Sequence, residues 1–286
     1  MSTPSPSQAW MRPLARFMIA ACALLLQAPA ASQTTVTWFS GGSAFAPPVV
    51  NREEATVGLV QHFGDSRLDV AVGNAFDVIR WSTPDRVFAW GPDLFIFAMS
   101  RNISGFRLKI AAADGYFGMH FSMTVPDGWQ LRFRVLHFSA HLVDGLYDLE
   151  SGTWLDGKEP FPFSRNFGEL MAAHGWTAGP LAGRFWSSLA GSVFTKPDEI
   201  QPWSGNAGIE AFTRADPHFY AAYQCGLLGV PEYTATHSMQ MGVKFGEWYG
   251  SGLRVFVQAL SGLEPFGEYY SSRARYVGIG FAFDYW

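Results

Sequence analysis

Ala274-Arg-Tyr-Val-Gly-Ile-Gly-Phe-Ala-Phe-Asp-Tyr-Trp286 decides the fold of this chain. On an extended strand Val277, Ile279, Phe281, Phe283 and Tyr285 point to one side. Gly278, Gly280, Ala282 and Asp284 point to the other. Large apolar groups on one face and small or polar groups on the other suit a wall between lipid and an aqueous interior. An aromatic last residue is also a habit of bacterial outer-membrane barrels. Strict alternation puts Tyr285, not Trp286, in line with the lipid face.

Composition agrees with this. Of 286 residues, 48% are hydrophobic, 16% aromatic and only 15% charged, where a soluble domain carries roughly a quarter charged residues. Arg12 and Arg16 precede the apolar run Phe17–Leu26, and Ala28-Pro29-Ala30 forms a small-residue cleavage pattern. This is the layout of a secretory signal peptide over residues 1–32, too short to span a bilayer. Cleavage removes two arginines and no acid, moving the net charge from −4 to −6. Such a balance gives no basic surface for nucleic acid. Only Cys225 remains after cleavage, so no intramolecular disulfide can form.

Downstream of the leader no apolar stretch reaches the length of about 18 residues that a helical span needs. Two solutions remain for an exported apolar chain: a secreted β-sandwich or a closed barrel. Period-two patterns recur from Ala55 onward, as in Phe117, Met119, Phe121, Met123 and Val125 or Met239, Met241, Val243 and Phe245. Both solutions produce them. Loop lengths discriminate. Pro126-Asp-Gly128, Gly179-Pro180 and Trp248–Ser251 are tight, whereas Leu142–Phe163, Thr195–Ser204, Leu227–Thr236 and Gly262–Ser272 are longer. Short periplasmic turns and long outer loops belong to barrels. The expectation is an all-β, antiparallel, up-and-down transmembrane β-barrel of about twelve strands. It spans residues 55–286, after an irregular periplasmic leader over 33–54, and its C-terminal strand closes the ring.

The candidate for chemistry is the run His137-Phe-Ser139-Ala-His141. Its three polar residues lie two apart and share one strand face, together with Leu131, Phe133 and Val135. Taken literally, that parity places two imidazoles and a hydroxyl in lipid, at a cost in free energy. A β-bulge near Val135–Leu136 would send them inward, and one is expected there. Ser139 is the candidate nucleophile, His137 or His141 its base, and Asp144 the orienting acid, with Asp148 and Glu150 as alternatives. Neighbours two apart on a strand sit roughly 7 Å apart, too far for a direct Ser–His hydrogen bond without a bulge or a cross-strand partner, and His120 and His174 on other strands are possible partners. No zinc-ligand spacing is present, and no cofactor motif: Gly41-Gly42 and Gly278-x-Gly280 lead into no helix. Asp69, Asp77, Glu210, Arg254, Gln258 and Arg275 are expected to line the lumen. Trp81, Trp90, Trp129, Trp176, Trp186 and Trp248 are expected in interfacial girdles.

Several stretches resemble an uncharacterised bacterial family, the domain of unknown function 1207. They are Phe45-Ala-Pro-Pro48, Leu131–Leu142, Pro202-Trp-Ser204 before Ala207-Gly-Ile-Glu210, Pro265-Phe-Gly267, and the closing Gly278-Ile-Gly280. The resemblance implies an outer-membrane barrel and brings no known reaction. Relatives continue the His-x-Ser-x-His run as Leu-Gly-Asp-Glu; here it reads Leu142-Val-Asp-Gly145, so Val143 stands for the Gly, Gly145 for the second acid, and of the Gly-Asp-Glu Asp144 alone is retained.

Two functional classes stay open: a non-enzymatic envelope protein, structural or a small channel, and an acyl hydrolase of outer-leaflet lipids. The expected partners are outer-membrane lipids, lipopolysaccharide and the machinery that inserts barrels through their C-terminal strand.

Overall fold

The computed structural model describes residues 34–104, 107–154 and 157–285. The expected signal peptide and Trp286 lie outside them. The strands are β1 (Thr35–Trp38), β2 (Val57–His62), β3 (Arg67–Ala75), β4 (Ile79–Ser82), β5 (Val87–Ser104) and β6 (Arg107–Thr124). They continue as β7 (Trp129–Leu142), β8 (Tyr147–Asp148), β9 (Thr153–Trp154), β10 (Phe163–Ala178), β11 (Leu181–Lys196) and β12 (Trp203–Thr213). The last four are β13 (His218–Gly229), β14 (Tyr233–Gly246), β15 (Gly252–Leu263) and β16 (Arg273–Asp284).

Closure rests on β16. One edge pairs with β15, the other with β2, where Phe283 lies opposite Val57 and Gly278 opposite His62. Every other barrel strand pairs antiparallel with its neighbours, giving a closed ring of β2, β3, β5, β6, β7 and β10–β16. A ring without edges leaves no backbone amide facing lipid unpaired. The alternation read from the sequence holds. Ile279 is 46% exposed, while Ala282 is 2% exposed and Asp284 points inward. The expected twelve-stranded transmembrane barrel is what forms.

Turn chemistry sets the two mouths. Asp127 (φ 66°) and Gly128 (φ 80°) make the left-handed corner between β6 and β7, and Gly179 (φ 59°) makes that between β10 and β11. The end of the barrel carrying these turns is the one at which β16 finishes, the end that short turns mark as periplasmic in barrels of this kind. Residues 143–154, 157–162 and 264–272 lie at the opposite mouth. The long loop expected over Leu227–Thr236 is only residues 230–232, because β13 and β14 stay paired up to Gly229 opposite Tyr233.

The leader does not stay below the barrel. After β1 pairs with β4, residues 42–55 run inside the lumen. Phe45 packs against Met171, Ala173 and Trp186. Arg184 Nη1 donates to the Ala46 carbonyl at 2.5 Å, and the Val49 amide donates to Glu210 Oε1 at 2.6 Å. Glu54 accepts Arg132 Nη1 at 2.8 Å, and Arg52 lies 4.2 Å over the Phe266 ring. Only a segment inside the ring can touch the inward faces of β7, β10, β11 and β12 together. Further ion pairs fill the remaining lumen: Arg134 Nε–Glu169 Oε1 at 2.8 Å, Lys244 Nζ–Asp284 Oδ2 at 2.7 Å and Arg67 Nη1–Glu264 Oε2 at 2.8 Å. Between the leader and the wall formed by β2, β3 and β15 a cavity of about 90 Å³ remains.

Asp69, Asp77, Glu210, Arg254 and Gln258 face this interior as expected. Arg275 does not. It shares the outward face with Val277 and Ile279, since the parity of β16 is unbroken. Two of the six tryptophans also depart from the girdle. Trp186 turns inward against Phe45, leaving Phe185 on the lipid side, and Trp248 stacks on Phe212 at 4.2 Å inside the periplasmic mouth.

Candidate functional site

The site is built on β7. Its inward residues are Arg132, Arg134, Leu136, Phe138, Ala140 and Leu142, all buried. Phe138 is clamped between Tyr116 (centroids 4.3 Å, planes 8° apart) and Phe163 (5.0 Å). These contacts and the charge pairs of Arg132 and Arg134 fix the parity of the strand. His137, Ser139 and His141 therefore face outward, on the lipid side.

The bulge expected near Val135–Leu136 is absent. β7 pairs without a shift against β6, with Val135 opposite Met119 and Leu136 opposite Gly118, and equally without a shift against β10. The irregularity sits one strand further on. Between β10 and β11, Asn166 lies opposite Phe194 while Phe167 lies opposite Ser192, so Val193 is the extra residue. Val193 (50% exposed) and Phe194 (45%) consequently both face outward, flanking Asn166. The bulge is on β11, and the alternation of β10 runs unbroken through Asn166.

Asn166 is the partner that the sequence did not show. It lies directly opposite His137 in the β7–β10 register, and His137 Nδ1 and Asn166 Oδ1 are 2.6 Å apart. The amide oxygen accepts, so Nδ1 carries the proton and Nε2 of the neutral ring keeps its lone pair. Ser139 stands two residues along the same face, opposite Ser164 on β10 and Gly115 on β6. Its hydroxyl has no hydrogen-bond partner among the described residues. The Cα atoms of His137 and Ser139 are about 6.6 Å apart from strand rise alone. No hydrogen bond joins the two side chains among the described residues; catalytic contacts of this kind are often long until substrate binds.

The other candidates fall away from this cluster. His141 shares the outward face one step nearer the rim, opposite Ala113. Asp144 begins a short 3₁₀ turn after β7, and its side chain lies outside the described residues. Asp148 is half-buried in the β8–β9 hairpin, where the Glu150 amide and the Ser151 hydroxyl hold its carboxyl below the usual range. Glu150 is exposed in the same hairpin. His174 sits near the periplasmic end against Trp129, with ring centroids 4.7 Å apart. His120 is buried inside the lumen, Nδ1 3.2 Å from Asp93 and Nε2 3.1 Å from Asp77. Both its nitrogens are committed, so it has no lone pair to offer a nucleophile.

The signal for Asn166 was present locally. Ser164, Asn166 and Gly168 occupy the outward parity of β10, where Leu170 and Ala172 follow. What joins them to β7 is a pairing across the intervening loop, which local spacing does not reveal.

Residues 102–285 match the family described as Protein of unknown function (DUF1207). This chain belongs to that family. The DUF1207 match takes in β6, β7, β10 and β11, hence the whole outward cluster, and excludes the lumenal leader, β2 and β3. No curated protein matches this DUF1207 chain. Among solved structures, the outer membrane phospholipase A from Escherichia coli is similar, with a TM-score of 0.49 and 12% identity, covering 83% of this chain and 93% of that one.

Proposed function

We propose that this protein is an acyl-ester hydrolase of the bacterial outer membrane, with Ser139 as nucleophile, His137 as general base and Asn166 as its positioning residue. The observation that carries this is the His137–Asn166 hydrogen bond on the lipid-facing wall. Polar groups there cost free energy, and this pair lies toward the outer end of β7, beside the long loop 143–162. Lipid ester groups lie at the edge of the hydrocarbon layer, the depth this placement suits.

The chemistry follows from the arrangement. Nε2 of His137 takes the Ser139 hydroxyl proton as Oγ forms a bond to the ester carbonyl carbon. The tetrahedral oxyanion collapses, the alcohol oxygen leaves with the proton from His137, and an acyl-serine remains. Water, deprotonated by the same nitrogen, then releases the fatty acid and restores Ser139. The Ser164 hydroxyl, directly across from Ser139, is placed to donate to the oxyanion.

A filled lumen favours a second reading, a purely structural barrel. Leader and ion pairs leave little room for solute, which speaks against the channel. In either case the signal peptide delivers the chain for export, and the C-terminal strand β16 engages the insertion machinery.

The test is fatty-acid release from phospholipid and from lipopolysaccharide in mixed micelles by purified protein. Release by the wild type, lost in Ser139→Ala and His137→Ala, is the expected result. No release by the wild type, or release untouched by Ser139→Ala, leaves the structural barrel.

A further inference from the structure

Cross-strand partners share a face of the sheet, so the register defines outward rows running around the barrel. One row joins Gly115 on β6, Ser139 on β7, Ser164 on β10 and Lys196 on β11. At its β6 end there is no side chain. The Phe117 ring leans over Gly115, and its Cε2 would stand 2.9 Å from a Cβ there. The Phe117 ring gives that end an apolar cover. At the other end stands an ammonium group. Lys196 Nζ contacts Asp198 Oδ1 at 2.7 Å, but both side chains are exposed, 45% and 80%. An ion pair so exposed contributes little and exchanges readily for another anion.

We infer that the substrate of this site is an acylated lipid bearing a phosphate close to the scissile ester, with Lys196 as the specificity-determining residue that receives the phosphate. This rests on the hydrolase reading above. The row gives the bound lipid a direction: acyl chain over Gly115 and Phe117, carbonyl at Ser139, phosphate toward β11. Lys196 is two strand spacings from Ser139, about 10 Å between Cα atoms, with Ser164 between them in the row. Phospholipids and phosphorylated lipid A both carry this chemistry.

The experiment uses the full mature chain in micelles. It measures hydrolysis of phosphatidylglycerol against diacylglycerol, and of phosphorylated against dephosphorylated lipid A. The expected result is a preference for the phosphate-bearing member of at least one pair. That ratio should fall about tenfold or more in Lys196→Ala, as for loss of a hydrogen bond to a charged group, and recover in Lys196→Arg. The pair that shows the effect identifies the source of the phosphate. Hydrolysis with a ratio unchanged in Lys196→Ala overturns this proposal and leaves the hydrolase standing. Absence of hydrolysis of all four lipids overturns both.

Discussion

His137 and Asn166 face the lipid from neighbouring strands with Nδ1 and Oδ1 2.6 Å apart. The bond fixes which ring nitrogen is free, so its loss should alter turnover more than substrate capture. Asn166→Ala is expected to lower kcat with little change in KM, by less than the roughly 10²–10⁴-fold expected for His137→Ala. Asn166→Asp, which keeps an acceptor and adds a charge that favours the protonated ring, should retain activity while moving the acid limb of the pH–rate profile upward. A profile that stays put in Asn166→Asp, with equal losses for both alanine variants, would mean Asn166 is merely structural.

Glu54 is the leader's anchor on β7, accepting from Arg132 and lying 3.4 Å from Arg134. Glu54→Gln leaves two buried guanidinium groups with Glu169 as their remaining carboxylate. A loss of about 3–5 kcal/mol is expected for breaking such a buried pair. It would appear as a lower denaturation midpoint of the barrel.

The intact chain should give no stepwise conductance in planar bilayers, because the lumenal leader and its ion pairs occupy the bore. A variant lacking residues 42–55 should conduct if it still inserts. Conductance by the intact chain would show a water path that the packing does not.

Glu268 sits in the loop over the outer mouth and accepts hydrogen bonds from the backbone of Phe161 and Leu142; burial pushes its carboxyl above the ordinary value, with Lys158 opposing. A raised value means the folded loop holds the proton more tightly than the unfolded chain. The stability it contributes is complete below the ordinary glutamate value and is lost as pH rises through the folded one. Amide exchange within residues 264–272 should therefore quicken across that window. Glu268→Gln should abolish the pH dependence.

Phe138 locks the parity of β7 through Tyr116 and Phe163. Phe138→Ala should cost about 3–5 kcal/mol as a large-to-small core change, seen in thermal unfolding. Phe138→Leu should cost less and keep His137 outward, separating damage to the fold from damage to the site.

Much of the fold was legible because a barrel wall writes its two solvents into alternate residues, as β16 does from Val277 to Tyr285. The facing of His137, Ser139 and His141 was legible too, since they share parity with Leu131, Phe133 and Val135. The rule that polar groups avoid lipid argued for a bulge and won the reading. It failed because the inward packing of Phe138 and the ion pairs of Arg132 and Arg134 hold the parity, and for His137 Asn166 supplies from β10 the hydrogen bond that the rule assumes to be missing. Identical tripeptides show how little local sequence decides here. His120-Phe-Ser122 and His137-Phe-Ser139 carry the same residues, yet one imidazole is held between two lumenal carboxylates and the other faces outward. The leader's course was illegible for the same reason, since Glu54, Val49 and Ala46 find their partners on four different strands.

With the leader and its ion pairs in the bore and His137 and Ser139 on the outer wall, a lipid substrate of the proposed hydrolase would not come through the protein. It must arrive sideways, by lateral diffusion in the plane of the bilayer. Encounter is then set by the surface density of lipid around the outer wall, and any detergent used to hold the protein in solution competes for the same approach.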